Sequence, residues 1–166
     1  MRSEKDRTMR WIYGITMAVM AFTGFGQLPI FKRYYISAIP GMAWSSDFYI
    51  TLFIHYLGAI LLTGLLAYAV TDHALARRRF ARLTASGYVR ALLLAGILGT
   101  GVFRVLKDLP AVDFSPVFTR VIDVSHLVLM VAYGAAALLF WRMKSAWVVE
   151  EVPVRRNALV SSVVSR

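Results

Sequence analysis

The chain has 166 residues, of which 58% are hydrophobic, a formal net charge of +10 and a mean hydropathy of +0.61. This composition excludes an ordinary soluble domain, in which apolar residues make up roughly 45–50% of the sequence. The chain contains no cysteine. It therefore cannot by itself hold a thiolate-ligated iron–sulfur cluster, a thioether-linked haem or a disulfide.

Four apolar stretches are long enough to cross a lipid bilayer, which takes about 17–25 helical residues. They cover residues 11–28, 48–70, 88–106 and 121–141. Lys and Arg concentrate before the first stretch, after the second and after the fourth, which places these segments in the cytoplasm by the positive-inside rule. The sequence predicts an all-α, integral membrane four-helix bundle over 1–147, with both termini cytoplasmic and a cytoplasmic tail at 148–166. Membrane insertion explains the net charge, so no nucleic-acid partner is expected.

Two histidines lie at matching depths in two of these stretches. At 1.5 Å per helical residue, His55 is roughly 10 Å and His126 roughly 8 Å from the outer end of its span. An ionisable side chain inside a membrane helix is a functional hypothesis by default. Two imidazoles that face each other in a bundle would supply the axial ligands of a haem iron. The alternative is that each histidine only hydrogen-bonds to a neighbouring helix.

Residues near the two histidines suit a flat, negatively charged cofactor. Gly58 and Gly134 remove bulk where a macrocycle or a close helix must fit. Arginine pairs well with carboxylates such as haem propionates. The arginine candidates at the outer end are Arg33, Arg104 and Arg120.

A ligand histidine normally has its second ring nitrogen held by a hydrogen bond. Thr51 lies one turn before His55, and Asp123 lies one turn before His126. We therefore expect Thr51 to hold the His55 ring, and Asp123 either to hold the His126 ring or to lie at the surface. The third histidine, His73, either takes part in a second haem or lies at the inner interface, as a surface group or as part of a proton path. The interface is favoured because no other span supplies a histidine partner.

The chain resembles the cytochrome b membrane subunits of bacterial respiratory oxidoreductases, the group of formate dehydrogenase gamma, thiosulfate reductase and nickel–iron hydrogenase cytochrome b. The resemblance covers about residues 10–141 and rests on short motifs. These are Arg10-Trp11 and Thr23-Gly24 in the first span, His55 followed by Gly58, and His126. It implies that His55 and His126 ligate one outer b haem.

The chain departs from this family at the two positions that would ligate an inner haem. Arg10 and Phe140 occupy them, and neither can ligate iron. The resemblance therefore implies one retained outer haem and puts the family's inner quinone site in doubt. Candidates for an outer quinone site are Gln27, Tyr34, Tyr35, Trp44 and Asp47. Candidates for an inner one are Trp11, Tyr13, Tyr68, His73 and Tyr88.

The sequence thus predicts an electron-transfer subunit of the bacterial cytoplasmic membrane that is not an enzyme alone. It would connect the quinone or menaquinone pool with a partner that carries iron–sulfur clusters or several c-type haems. The alternative is a haem-free membrane anchor or quinone-binding subunit of a larger redox complex. A transporter is disfavoured because the spans hold almost no buried carboxylates and no paired broken helices.

Overall fold

The computed structural model describes residues 4–28, 31, 36–77 and 81–150. These residues form four α-helices, which are α1 (Glu4–Gly26), α2 (Phe48–Asp72), α3 (Ala85–Leu106) and α4 (Pro116–Arg142). The predicted helical class is confirmed. The described part also contains two short strands, β1 (Ala81–Leu83) and β2 (Val148–Glu150), which pair antiparallel. Neither strand is indicated by a pattern in the sequence.

Three helical segments of the described chain are long and apolar enough to cross a membrane. They are Phe48–Leu75, Ala85–Leu106 and Pro116–Arg142. Helix α1, which contains most of the predicted span 11–28, is not among them. Large apolar side chains such as Ile60 and Leu92 are exposed on the helices. This inverted pattern suits a lipid surrounding, in which polar groups must be satisfied inside the protein.

The chain divides into two compact units, Met1–Thr71 and Asp72–Arg166. In the first unit, α1 and α2 run antiparallel and form what we call the N-terminal hairpin. Short 3₁₀ turns at Ile36–Ala38 and Ala43–Ser46 lie in the connection. The Asp47 carboxylate accepts hydrogen bonds from the backbone N–H groups at the start of α2, at 2.8 and 3.1 Å. It thereby satisfies donors that a helix N-terminus leaves unpaired.

In the second unit, α3 and α4 also run antiparallel and form the C-terminal hairpin. The Thr84 hydroxyl caps α3 by accepting from the backbone N–H of Gly87 at 2.9 Å. The Ser115 hydroxyl caps α4 in the same way, and Pro116 occupies the first turn. Proline suits this position because its missing N–H would be unpaired there anyway.

A buried arginine fastens the segment after α4 to α3. Arg90 is 7% exposed, and its Nε and Nη2 atoms donate to the carbonyl oxygens of Ser86 and Ser145 at 3.2 and 2.8 Å. Its guanidinium lies over the Phe140 ring at 4.9 Å and the Trp147 ring at 4.7 Å. Carbonyl oxygens and aromatic faces thus stabilise this cation.

Replacing Arg90 by lysine should lower the free energy of unfolding by about 1–3 kcal/mol. Lysine keeps the charge but has no planar fork to reach both carbonyls or to stack on two rings. Thermal denaturation of the purified protein in detergent measures this change. The matched control is the exposed Arg142 at the end of α4. Equal midpoints for Arg90→Lys and Arg142→Lys would contradict the clamp.

Candidate functional site

Each hairpin contains one buried histidine on its second helix. His55 in α2 and His126 in α4 are both 8% exposed. Each lies in the part of its helix that follows the interhelical connection. Both side chains are therefore buried within otherwise apolar helices, where an imidazole needs a hydrogen-bond partner from the protein.

The partner of His55 is a threonine on the neighbouring helix. Nδ1 of His55 lies 3.0 Å from Oγ1 of Thr23, which is completely buried. The Thr23 hydroxyl also donates to the carbonyl of Val19 at 2.9 Å and approaches that of Met20 at 3.3 Å. The His55 ring is thus tied to α1 through Nδ1.

His126 has the same kind of partner in the C-terminal hairpin. Its Nδ1 lies 2.9 Å from Oγ1 of Thr100 on α3. The Thr100 hydroxyl donates to the carbonyl of Gly96 at 2.8 Å and approaches that of Ile97 at 3.1 Å. A side-chain methyl placed on Gly101 would contact the imidazole at Cε1, 3.5 Å away. An alanine here would therefore make an ordinary contact with the ring.

The two residues that the sequence assigned to hold the histidine rings are engaged elsewhere. Thr51 donates to carbonyls of its own first turn, Asp47 and Phe48, both at 3.0 Å. The Asp123 carboxylate pairs with two cations at the end of α3. The observed partner of Nδ1 is Thr23 for His55 and Thr100 for His126, and Asp123 is partly exposed.

The Asp123 cluster carries more positive than negative charge. Both Asp123 carboxylate oxygens accept from Nζ of Lys107, at 2.8 and 2.7 Å, and Nε of Arg104 lies 3.1 Å from Oδ1. One carboxylate therefore faces two cations. Of the other predicted arginines, Arg120 is exposed on α4. Arg33 lies outside the described residues, as do Tyr34 and Tyr35.

The two glycines predicted to remove bulk have different surroundings. A side-chain methyl on Gly58 would lie 2.8 Å from Cγ of Met20, so this glycine lets α1 approach α2. No described atom comes within 4 Å of the corresponding position on Gly134. Gly58 thus serves the helix contact, whereas Gly134 borders open space along α4.

The donor set of the described residues does not suit a metal held by protein ligands alone. Among these residues there is no group of three or more His, Cys, Asp or Glu side chains that could bind an ion. His73 begins a π-helical turn, His73–Arg77, at the end of α2. A haem has a different requirement, since the macrocycle binds the iron and the protein adds only axial ligands.

Gln27, directly after α1, has an unusual side chain. Both amide atoms, Nε2 and Oε1, are buried and have no hydrogen-bond partner in the described structure. An unpaired buried donor and acceptor are costly. This amide can donate to a carbonyl and accept from a hydroxyl, and Gln27 is one of the residues predicted for an outer quinone site.

Comparison of the chain with protein-family models, curated proteins and solved structures finds no match.

Replacing Gly58 by alanine should destabilise the N-terminal hairpin by about 1–3 kcal/mol. The added methyl overlaps the inner part of the Met20 side chain, and crowding a packed contact has this typical cost. Gly64 lies on the same helix, and no described atom comes within 4 Å of the place a methyl would take there, so Gly64→Ala is the matched control. Thermal denaturation in detergent compares the two. If Gly58→Ala melts no lower than Gly64→Ala, the close contact between Gly58 and Met20 does not contribute to stability.

Replacing Gln27 by methionine should raise the free energy of unfolding of the isolated protein by about 1–3 kcal/mol. Methionine has a similar length and removes the unpaired buried amide. Gln27→Glu is the contrasting variant and should destabilise, because it buries a charge at the same place. The melting midpoint in detergent is the measurement. A Gln27→Met protein less stable than wild type would show that the amide has a stabilising partner.

Proposed function

We propose that the chain is a membrane cytochrome b subunit of a bacterial respiratory complex. In this proposal His55 and His126 bind one b haem and the chain connects the quinone pool with a partner redox subunit. The observation that supports it is the repeated arrangement of a buried histidine whose Nδ1 is hydrogen-bonded to a threonine of the adjacent helix. Histidines that ligate iron are held through their second nitrogen in this manner.

The residues present fit the chemistry of such a group. With Nδ1 tied to threonine, Nε2 is the nitrogen that His55 and His126 would offer to iron. Two imidazole ligands in a low-dielectric helical environment are a common way to hold haem. When bound, the haem supplies one-electron redox chemistry, and the protein tunes it through ligand basicity, burial and nearby charge.

The excess positive charge at Asp123 supports a role in binding propionates. Arg104 and Lys107 share one carboxylate, so a second carboxylate would balance the cluster. Arg104 is the better candidate because guanidinium binds carboxylates in bidentate geometry. Asp123 lies one turn from His126 on α4, which places this charge near the proposed ligand. Arg120 and Arg33 are the other candidates for the same task.

The remaining parts of the proposal follow from what the chain lacks and from Gln27. Because the chain has no cysteine, electrons would leave it for a partner with iron–sulfur clusters or several c-type haems. Gln27 is a candidate contact for a quinone or menaquinone headgroup. Its amide can donate to the quinone carbonyl and accept from the quinol hydroxyl.

A second candidate is a haem-free membrane anchor or quinone-binding subunit of a larger redox complex. The same threonine–histidine hydrogen bonds favour it, because an interhelical hydrogen bond alone can satisfy a buried histidine. The two candidates differ in whether the purified protein contains haem.

A dithionite-reduced minus oxidised absorption spectrum, with pyridine haemochrome quantitation, tests the proposal on the protein purified with its native partners. We expect a b-type α-band at one haem per chain. His55→Ala and His126→Ala should each abolish the sharp low-spin α-band, since a haem with only one axial histidine is no longer a six-coordinate bis-histidine centre. His73→Ala is the control and should retain it.

A folded complex with no haem band would overturn the cytochrome proposal and favour the haem-free anchor. A band that survives both His55→Ala and His126→Ala would show that other residues ligate the iron. Loss of half of the haem in His73→Ala would show that a second haem is present.

A further inference from the structure

The two hairpins repeat one arrangement of side chains. In each, the first helix supplies a threonine and the second supplies a histidine, joined by the hydrogen bonds Thr23–His55 and Thr100–His126. Each threonine is followed by glycine in the sequence. Each also donates to the carbonyl four residues earlier in its own helix. Four features therefore recur together in two units of the chain.

The helix contact one turn from each histidine repeats as well, with the large and small residues exchanged. In the N-terminal hairpin Gly58, three residues after the histidine, faces Met20, three residues before the threonine. In the C-terminal hairpin Leu129, three residues after the histidine, faces Gly96, four residues before the threonine. Each pair of helices thus combines a long side chain with a glycine about one turn from the histidine, with a shift of one residue on the first helix.

The threonine and the histidine of the C-terminal hairpin each lie three residues further from the interhelical connection than those of the N-terminal hairpin. Thr23 lies three residues before the end of α1, and Thr100 lies six before the end of α3. His55 lies seven residues after the start of α2, and His126 lies ten after the start of α4. Both helices of the C-terminal hairpin are therefore about one turn longer at the connecting end. The threonine–histidine hydrogen bond and the nearby glycine contact are present in both hairpins.

The hydrogen bonds of the threonines favour one assignment of the proton on each imidazole ring. A threonine hydroxyl has one hydrogen, and here Thr23 donates it to Val19 and Thr100 donates it to Gly96, at 2.9 and 2.8 Å. The hydroxyl oxygen can then only accept from the imidazole. In this arrangement Nδ1 is the protonated nitrogen, and a neutral ring has its lone pair on Nε2.

We propose that Thr23 and Thr100 are positioning residues that fix both histidines in the Nδ1–H tautomer, so that each hairpin presents Nε2 as a ligand nitrogen. The ligand role rests on the proposed function. The tautomer does not, because it follows from hydrogen bonds within each hairpin. A hydrogen bond accepted from Nδ1–H also makes the imidazole a stronger donor to a metal.

The first test measures the tautomer without haem. The protein is labelled with ¹⁵N-histidine, purified without haem in detergent, and its ring nitrogens are assigned by long-range ¹H–¹⁵N correlation. We expect the Nδ1–H form for His55 and His126. Thr23→Val should convert His55 to a mixture of tautomers, Thr100→Val should do so for His126, and the serine variants should restore the wild-type form. Nε2–H rings in wild type, or unchanged rings in the valine variants, would overturn the proposal.

The second test measures haem binding and reduction potential. Removing one threonine hydroxyl should weaken haem affinity about 10- to 100-fold, the usual effect of losing the hydrogen-bond partner of a ligand histidine. It should also raise the reduction potential, because a less basic ligand stabilises ferric iron less. Thr16→Val is the matched control. Thr16 is buried in α1 and bonds to the carbonyl of Ile12 at 2.8 Å, so its replacement should change neither quantity.

The outcomes separate the inference from the proposed function. Haem binding with wild-type affinity and potential in Thr23→Val and Thr100→Val would overturn the positioning role. Absence of haem binding in wild type, with the Nδ1–H tautomer intact, would overturn the cytochrome assignment and leave the role of the threonines in setting the tautomer established. Rescue of both affinity and potential by Thr23→Ser and Thr100→Ser would support it.

Discussion

The arrangement of both hairpins depends on the need to satisfy an imidazole inside apolar helices. An unpaired polar group in a hydrocarbon environment costs several kcal/mol, and no water is available there to relieve it. In each hairpin a threonine of the first helix meets this need at about 3 Å. The bond fixes the register of the two helices at one point. Glycines next to it then allow the backbones to approach.

The same need is met differently for the cations at the two ends of the C-terminal hairpin. Arg90 is satisfied by carbonyl oxygens and two aromatic faces, so it serves to fasten the chain after α4. At the other end, Arg104 and Lys107 share the single carboxylate of Asp123. One end is therefore closed and structural. The other retains positive charge that an anionic group can balance, and this end lies on the side of His126.

The sequence predicts the helical class and singles out both histidines, because hydropathy and an ionisable residue within an apolar run are local signals. It does not identify the threonines that the structure places at Nδ1 of each histidine. Spacing along one helix points to Thr51 and Asp123, whereas the observed partner of each histidine lies on the other helix of its hairpin. Such a contact depends on the register between helices, which local spacing does not encode. Thr23 and Thr100 are each followed by glycine, but so is Thr63, so this pair alone does not identify the partners of the histidines.

The features that escaped prediction have a similar cause. Strands β1 and β2 have three residues each, too few for a periodic pattern, and they pair beside the hydrogen bonds that Thr84, Ser86 and Arg90 make to residues 145–147. Helix α1 begins with charged residues, so its hydropathy does not show whether it crosses a membrane. The length of an apolar run identifies a helix more securely than it identifies a span.

The repetition bears on how two ligands can arise in so short a chain. A hairpin that anchors one histidine through Nδ1 provides one ligand nitrogen. A cofactor with two axial positions needs two ligand nitrogens. A second hairpin of the same kind meets this requirement, because the second histidine is held by the same threonine hydrogen bond as the first. The two hairpins differ outside this shared arrangement. The C-terminal copy has the longer connecting ends and the cation-rich cluster at Asp123, whereas the N-terminal copy has the unpaired amide of Gln27. In the proposed function, charge compensation and quinone contact would therefore fall to different hairpins, while iron ligation is shared.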